Sequence, residues 1–333
     1  MEIVRELNKL GKGDAGIAGG KGAALGEMTQ AGFAVPPGFV LLSSAFERFL
    51  EETDLNVEID SILHKVDHKE IHTVDRASEE IQALILRAGI SKDIEAEIKK
   101  HFKKLGAKFV AVRSSATAED SSSAAWAGQL DSFLNTTEKT LIPNVLCCFA
   151  SLFTPRAIFY RFELFDKNRT ADKRGLKTRI HADMEKISVA VVIQKMVESE
   201  VSGIAFSVHP VTEDRNQLII EAGFGLGEAI VSGQITPDSF VVEKIPRRII
   251  DKNISEQERG LFKKENGGNV WENIPAVKGA TQKLSDSQIL QLSELVLKIE
   301  THYGFPCDIE WAFAEGKFYI TQSRPITTLS KKS

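Results

Sequence analysis

The chain has 333 residues, 42% of them hydrophobic and 26% charged, and a net charge of −4, an ordinary composition for a globular protein of two domains or subdomains. No block of like charge and no apolar run of membrane-spanning length occurs, so neither nucleic acid nor a membrane is expected as a partner. The charged N-terminus lacks an apolar signal region, and the three cysteines have no zinc spacing. Together these features favour a reduced, cytoplasmic setting.

A glycine-rich segment over residues 10–22 precedes the first predicted helix, which Gly32 is expected to end. Lys21 lies within it, between Gly20 and Gly22. The segment is not a Walker loop, because no Ser or Thr follows the lysine. It either lays Lys21 on a phosphate or forms a tight turn with a surface lysine, and these residues alone favour the turn.

Residues 53–105 are predicted to be mostly helical and carry no functional assignment. A buried strand is then predicted over 109–112, with Arg113 at its end and small hydroxyl residues after it. Arginine and hydroxyl side chains in this arrangement are suited to binding a phosphate. Residues 121–128 are predicted to form a mobile loop that closes over a ligand, or else a plain connector. The chain should return in a second strand near 131–134.

The pattern changes after residue 196. Residues 141–165 are predicted to form a long apolar helical stretch with a structural role, and the β-branched run 187–196 a central strand. From Gly203 onward the chain is rich in strands, so the subdomain boundary is placed near Met196. The predicted strands are 204–208, 218–221, 240–243 and 248–251.

Two further segments of this second part are assigned from local signals. The G-x-G-x-G run at 223–227 could bring backbone close to a ribose or a phosphate, together with Glu221. Residues 253–277 are expected to be an irregular surface excursion. Ser285 with Gln288 should begin the last helix, whose apolar stripe ends at Gly304.

The final predicted element is a hairpin over residues 305–325. If its loop has three residues, Glu315 to Lys317, then Glu310 lies opposite Gln322 on one face. Asp308 is then opposite Arg324 on the same face. Trp311, Phe313 and Tyr319 are expected to point together into the core.

Two carboxylates and an amide oxygen on one face form a site for a hard cation such as Mg²⁺, and the neighbouring arginine suits a phosphate. The alternative is a solvated strand face with an Asp308–Arg324 ion pair.

Seven motifs occur in one order along the chain, and together they resemble the nucleotide-binding domain of the phosphoenolpyruvate synthase family, which also opens pyruvate phosphate dikinase and rifampicin phosphotransferase. The resemblance extends from Leu10 to Thr328. The motifs begin at Gly19 (GGKGAALGE), Val112 (VRSSATAED), Ala127 (AGQLDSFLN), Gln194 (QKMV), Ser202 (SGIAFSVHPVT), Glu221 (EAGFGLGE) and Asp308 (DIEW, with QSRP from Gln322).

The resemblance implies an ATP-grasp fold, in which two α+β subdomains clamp ATP between them. The expected subdomains are residues 1–196 and 197–328, followed by a tail, 329–333. Lys21 and Arg113 would hold the phosphates, and Ser132 stands where the family often has Thr near them.

For the rest of the site, the resemblance implies three further groups of residues. Gln194, Met196 and Val197 would form a hinge against the adenine, and Glu221 would meet the ribose. Mg²⁺ would be held by Glu310 and Gln322 with Asp308 beside them, and Arg324 would contact the phosphates. The implied catalytic set is Lys21, Arg113 and Arg324.

The implied activity is that of a kinase-type phosphotransferase resembling phosphoenolpyruvate synthase, with ATP and Mg²⁺ as cofactors. The β-phosphoryl group of ATP would pass to a histidine on a separate swivelling domain, and overall ATP, pyruvate and water would give phosphoenolpyruvate, AMP and phosphate. None of the seven histidines lies in the family's Thr-Ser-His setting. The chain is therefore expected to need that domain, as part of a longer protein or as a partner.

Three alternatives stay open at this point: the same domain of a rifampicin phosphotransferase, a stand-alone nucleotide-binding module without catalysis, and a carboxylate–amine ligase. The ligase is the weakest, since no acceptor pocket is identified. Residues 121–123 (Ser-Ser-Ser) also depart from the family's Leu-Pro-Asp, so the family's lid behaviour is not implied.

Overall fold

The computed structural model describes residues 2–117, 131–169 and 187–330, with side chains for all of these except 163–169. The predicted loop at 121–128 lies outside the described residues. The chain divides into two compact units, the first comprising Met1–Gln30 and Pro37–Met196, and the second comprising Ala31–Pro36 and Val197–Ser333.

The first unit is built on a five-stranded antiparallel sheet of order β1-β2-β5-β3-β4. The predicted central strand is confirmed, because β5 occupies the middle of this sheet. The strands are β1 Val4–Glu6, β2 Gly38–Leu41, β3 Val110–Ala116, β4 Ser132–Thr136 and β5 Val189–Lys195.

Helices pack on this sheet, and the predicted helical region 53–105 is confirmed by α3, α4 and α5. The main core lies between one face of the sheet, with Val112 and Val191, and helices that contribute Phe49 and Phe149, whose ring centroids are 5.4 Å apart. The helices are α1 Ala15–Gln30, α2 Ser43–Glu52, α3 Leu55–Leu63, α4 Ile71–Ala88, α5 Lys92–Leu105, α6 Glu138–Ala150 and α7 Pro155–Arg169; short 3₁₀ turns cover Leu7–Lys9, Lys12–Asp14 and Ser151–Phe153.

The helical stretch predicted over 141–165 is confirmed, but it consists of two helices and not of a continuous one. The chain breaks between α6 and α7 through the 3₁₀ turn, and Thr154 adopts an extended conformation (ψ 156°). Pro155 then opens α7, because a proline disfavours the α conformation in the residue before it but is well tolerated at a helix start.

The second unit contains a six-stranded antiparallel sheet of order β13-β12-β6-β7-β8-β9 and a separate pair, β10-β11. The strands are β6 Val201–Phe206, β7 Gln217–Phe224, β8 Asp238–Glu243, β9 Arg248–Asn253, β10 Arg259–Lys263, β11 Asn269–Asn273, β12 Cys307–Ala314 and β13 Lys317–Pro325; the helices are α8 Glu228–Val231, α9 Ala276–Gly279 and α10 Asp286–Tyr303.

The last helix forms as predicted. The Ser285 side chain accepts a hydrogen bond from the Gln288 N–H, and Gly304 ends the helix with φ 74°. Four residues of its apolar stripe are fully buried, namely Ile289, Leu292, Val296 and Ile299. The helix therefore follows from its caps and its hydrophobic period.

Residues 253–277 are mostly exposed, as predicted, but they are more regular than predicted. β10 and β11 pair with Leu261 opposite Trp271, and the Arg259 guanidinium lies 4.5 Å from the Trp271 ring centroid. The turn between the strands contains Gly267 and Gly268, both with positive φ. That Asn-Gly-Gly sequence was a hairpin signal that the polar composition obscured.

The division into units also differs from a single cut near residue 196, because Ala31–Pro36 joins the second unit. The carbonyl of Ala34 accepts the N–H of Ile320, and the Phe33 ring lies 5.8 Å from that of His302. These contacts bind the short segment to β13 and α10, although it follows α1 directly in sequence.

Candidate functional site

Lys21 lies on α1 just after a backbone break. Gly19 has φ 68° and ψ 169°, so the helix consists of two pieces that meet there, and Lys21 is in the first turn of the second piece. A side chain at Gly19 is excluded, because a Cβ atom would come within 2.1 Å of Ser115 Oγ and 2.4 Å of the Ser115 carbonyl oxygen. The glycine therefore allows α1 to approach β3 closely.

Arg113 is in the middle of β3, not at its end as predicted. Pairing with β5 continues for three more residues, from Ser114 opposite Val191 to Ala116 opposite Val189, so the strand extends through Ala116. Only 8% of Arg113 is exposed.

Ser132 lies directly opposite Arg113 across β3 and β4. Ser115 is two residues beyond Arg113, so both side chains are on the same face of β3. That face carries α1, because Ser115 contacts Gly19 and its hydroxyl accepts the N–H of Gly22 at 3.3 Å. The structure thus brings Arg113, Ser132 and the turn of Lys21 to one face of the first unit.

Gln194 is on β5, opposite Ala111, and only 2% of it is exposed. Met196 follows this strand, and its N–H bonds to the carbonyl of Phe109 at 3.1 Å. Val197 is the first residue of the longer segment of the second unit. The hinge role of these three residues stays a prediction.

The hairpin of β12 and β13 has the predicted cross-strand pairs but not the predicted loop. Glu310 is opposite Gln322 and Asp308 is opposite Arg324. The loop, however, has two residues, Glu315 and Gly316, with φ 52° and 74°.

A β-bulge reconciles the two observations. Trp311 pairs with Ile320 while Glu310 pairs with Gln322, so Thr321 is the additional residue on β13. The bulge shifts the alternation by one residue and returns Gln322 to the face of Glu310.

The aromatic residues of the core also differ from those predicted. Phe318 is opposite Phe313, and its ring centroid lies 4.8 Å from that of Phe313 and 5.6 Å from that of Trp311. Tyr319 is opposite Ala312 on the other face and is only partly buried, so the prediction that it joins these aromatics was wrong.

The polar residues form rows across the second sheet. Glu221 on β7 and Glu310 on β12 both pair with Ile204 of β6, and Glu310 pairs with Gln322 of β13. Residues directly opposite one another share a face, so Glu221, Glu310 and Gln322 lie on one side of the sheet. Asp308 is two residues from Glu310 and belongs to the same face.

Asp308 and Arg324 form a two-bond ion pair, with the arginine Nε and Nη2 both 2.8 Å from one carboxylate oxygen. Burial raises the pKa of Asp308 above its ordinary value, and the Arg324 guanidinium opposes that rise. Burial also raises the pKa of Glu221, and the negative charge of Asp308 adds to the effect. This face therefore concentrates acidic groups where charge is costly, a property common in binding sites.

The donor set on this face fits a hard cation. Glu310 offers a carboxylate and Gln322, 6% exposed, offers an amide oxygen from the adjacent strand. Asp308 forms an ion pair with Arg324, which the alternative interpretation of the sequence predicted. Its role beside a metal stays a prediction. Within the described ranges no group of three or more His, Cys, Asp or Glu is placed to hold a metal, so any Mg²⁺ here depends on the amide and on the ligand's own oxygens.

The glycine-rich run 223–227 serves internal packing in the structure. A Cβ at Gly225 (φ 89°) would lie 2.5 Å from the carbonyl oxygen of Leu261 on β10. The N–H of Gly225 bonds to Glu200 and that of Leu226 to Leu261. These glycines let the end of β7 pass against β10.

Sequence reasoning missed a buried ion pair beside this run. Asp238 and Lys283 have fully buried side chains, with the lysine Nζ 2.9 Å from the carboxylate. Asp238 also accepts the N–H groups of Ser255 and Lys283 itself. No local pattern signalled it, because the partners are 45 residues apart.

No single helix among the described residues is both long and apolar enough to span a membrane. Glu138–Phe153 and Pro155–Phe162 satisfy length and composition only when taken together, across a 41° bend.

Comparisons with known proteins identify the family to which the chain is similar. A family described as the pyruvate phosphate dikinase AMP/ATP-binding domain matches residues 15–333. The chain is 41% identical to a probable phosphoenolpyruvate synthase of Methanocaldococcus jannaschii, covering 99% of this chain and 27% of that protein. A probable phosphoenolpyruvate synthase of Archaeoglobus fulgidus is 42% identical, covering 98% and 42%.

Rifampicin phosphotransferase of Bacillus subtilis is 36% identical, covering 98% of this chain and 36% of that protein. The chain thus spans less than half the length of these three relatives. The predicted resemblance is confirmed over almost the whole chain, and so is the α+β class expected of an ATP-grasp domain.

Proposed function

The chain belongs to the pyruvate phosphate dikinase AMP/ATP-binding domain family, and from this we propose that it is the ATP- and Mg²⁺-binding part of a phosphoenolpyruvate synthase-like phosphotransferase. It transfers the β-phosphoryl group of ATP to a histidine on a separate swivelling domain. The observation that carries the proposal is the paired set Glu310–Gln322 and Asp308–Arg324 on one sheet face.

On this proposal, one group of side chains binds the phosphates of ATP. Lys21, Arg113 and Arg324 hold the phosphates, and Ser132, opposite Arg113, adds a hydroxyl near them. Cationic side chains match the charge on a transferring phosphoryl group, for which positioning and charge stabilisation supply most of the catalysis.

The metal-binding residues of the proposal are Glu310 and Gln322. Mg²⁺ bound there would neutralise phosphate charge, which is its ordinary role in phosphoryl transfer. Asp308 holds the guanidinium of Arg324 in place through the two 2.8 Å contacts and so orients it for a phosphate.

The nucleoside is assigned to the remaining residues. Gln194, Met196 and Val197 contact the adenine and Glu221 meets the ribose. A carboxylate suits a ribose hydroxyl as a hydrogen-bond acceptor when it is ionised.

The bond between the α- and β-phosphoryl groups breaks and AMP leaves, while a ring nitrogen of the acceptor histidine bonds to the β-phosphorus. Water cleaves the β–γ bond, so phosphate is released and the histidine retains one phosphoryl group. In the complete protein, pyruvate would then receive this group.

Binding is tested by titrating the chain with ATP in the presence of Mg²⁺. Arg113→Ala and Glu310→Gln should weaken binding by about 10-fold or more, since each removes a charged contact of roughly 1.5–3 kcal/mol. Glu315→Gln is the matched control, because it changes an exposed acid of the same hairpin turn. Equal affinity in wild type and both site variants would refute the site.

Transfer is tested by mixing the chain with a separately produced phosphohistidine domain of a phosphoenolpyruvate synthase and ATP labelled at the β-phosphate. Label on that domain, together with AMP, is the expected result. ATP binding without label on it would favour a non-catalytic nucleotide-binding module.

A second candidate is the same domain of a rifampicin phosphotransferase, which the 36% identity to the Bacillus subtilis protein supports. Both proposals share the first half-reaction, so the acceptor distinguishes them. Pyruvate and a rifamycin, each offered to the complete protein, should give phosphoenolpyruvate in the first case and a phosphorylated antibiotic in the second.

A further inference from the structure

Ser115 makes two contacts with the segment that carries Lys21. Its hydroxyl oxygen accepts the N–H of Gly22 at 3.3 Å, and the turn at Gly19 lies so close that a single added carbon would come 2.1 Å from that same oxygen. Ser115 itself is fully buried. One hydroxyl thus contacts the backbone on both sides of the lysine.

The hydroxyl occupies the position that a capping side chain usually fills. The first N–H groups of a helix have no partner within the helix, and the piece of α1 after Gly19 begins with Gly20, Lys21 and Gly22. Here the acceptor for one of these donors comes from a strand 93 residues further along the chain. The start of this helical piece is therefore fixed to β3.

β3 is also the strand of Arg113. Ser115 and Arg113 are two residues apart and share a face, so any movement of the turn against Ser115 changes the distance between Lys21 and Arg113. We propose that Ser115 is a positioning residue that sets the spacing of these two phosphate-binding cations. This inference rests on the proposed ATP-binding function and adds to it a residue that does not itself contact the phosphates.

The neighbouring Ser114 provides a matched comparison. It is equally buried, but its side chain is on the opposite face of β3, and its hydroxyl donates to the carbonyl of Asp131 at 3.1 Å. The backbone N–H of Ser114 bonds to the same carbonyl, so Ser114→Ala leaves that connection in place. The two serines are thus alike in burial and chemistry and differ in which segment they hold.

The affinity test compares Ser115→Ala with Ser114→Ala, using ATP and Mg²⁺ as the ligand. Loss of one neutral hydrogen bond corresponds to about a fivefold change, so Ser115→Ala should weaken ATP binding about fivefold and Ser114→Ala less than about twofold. In a Lys21→Met background Ser115→Ala should have almost no further effect, because the cation that it positions is gone.

Conservative replacement gives a second measure. Ser115→Thr keeps the hydroxyl on a strand residue and should restore affinity to within about twofold of wild type. Equal losses from Ser115→Ala and Ser114→Ala, or undiminished loss in the Lys21→Met background, would overturn the positioning role.

Amide hydrogen exchange at Gly22, measured without any nucleotide, separates this inference from the proposed function. Ser115→Ala should speed exchange at Gly22 about fivefold while leaving helix α6 unchanged, and Ser114→Ala should not. If wild type fails to bind ATP but Gly22 exchange responds as described, the proposed function fails and the contact stands. Unchanged exchange at Gly22 would refute the contact itself.

Discussion

The register of the β12–β13 hairpin predicts opposite outcomes for two single-residue deletions, that of Thr321 and that of Ser323. Thr321 is the bulged residue, so both Thr321 and Gln322 oppose Glu310. Deleting Thr321 should leave a regular ladder in which Gln322 still pairs with Glu310 and Arg324 with Asp308. We expect the free energy of unfolding to change by no more than about 1 kcal/mol.

Deleting Ser323 should have a different result, because the strand can then preserve only one of the two polar pairs. If the bulge persists, Arg324 moves to the core face opposite Ile309, which is fully buried. If the bulge disappears, Arg324 stays opposite Asp308 and Gln322 moves to that face instead. An unpaired buried guanidinium costs about 3–5 kcal/mol and an unsatisfied buried amide about 1–3 kcal/mol.

The contribution of the Asp308–Arg324 pair to this difference is small. The arginine side chain is 41% exposed, and pairs of that kind contribute less than about 1 kcal/mol. The larger part comes from placing a polar group on the face of Ile309 and Trp311.

The assay is chemical denaturation of both deletion variants, followed by titration with ATP and Mg²⁺. The Thr321 deletion should retain wild-type stability within the stated range and should retain binding. The Ser323 deletion should lose stability and most of its binding. A Thr321 deletion that is the more damaging of the two would refute the assigned register.

Three further predictions concern other parts of the chain. Lys283→Met should lower the free energy of unfolding by about 3–5 kcal/mol in a denaturant titration, because it leaves the carboxylate of Asp238 buried without its cation. The free energy of unfolding of Glu221→Gln, relative to that of wild type, should increase as pH rises from the ordinary pKa of 4.5 to the raised pKa of Glu221. Above that pH the difference should stay constant. The reason is that folded wild type holds a proton in this window that the unfolded chain has lost, so its own stability falls as pH rises. A thiol reagent should label Cys147 in the native protein well before Cys307, which is fully buried and whose pKa burial raises to about 12.

Each of these has a control or a contrary outcome. Lys252→Met breaks the exposed pair with Asp286 and should cost less than about 1 kcal/mol, so an equal loss in Lys283→Met would contradict the buried-pair assignment. If the difference in free energy of unfolding between Glu221→Gln and wild type does not depend on pH, the pKa of Glu221 is not raised. Labelling of Cys307 at the rate of the unfolded chain would show that its environment is open.

The sequence determined those elements whose signals are local. The capping residues of α10 and its apolar period fixed both ends of that helix, since these interactions join residues within one or two turns. The β-branched run of β5 identified the central strand, because such side chains suit a surface buried on both sides. The cross-strand pairs Glu310–Gln322 and Asp308–Arg324 also followed from the sequence.

Those pairs were predicted with an incorrect loop, and the reason is physical. Alternation along a strand fixes only the parity of the connection between the two strands, and a three-residue loop has the same parity as a two-residue loop with one bulge. Tertiary packing selected the second solution, in which Phe318 lies among the core aromatics in place of Tyr319.

Contacts between segments far apart in sequence were decided by the tertiary structure alone. Ser115 holds the turn of Lys21 across 93 residues, and Asp238 meets Lys283 across 45. Local sequence patterns contain no information about such pairs, because they form only when sheets and helices bring distant backbone together. The sequence thus proposed the residues for nucleotide binding from their chemistry, and the tertiary structure determined which other residues contact the segments that carry them.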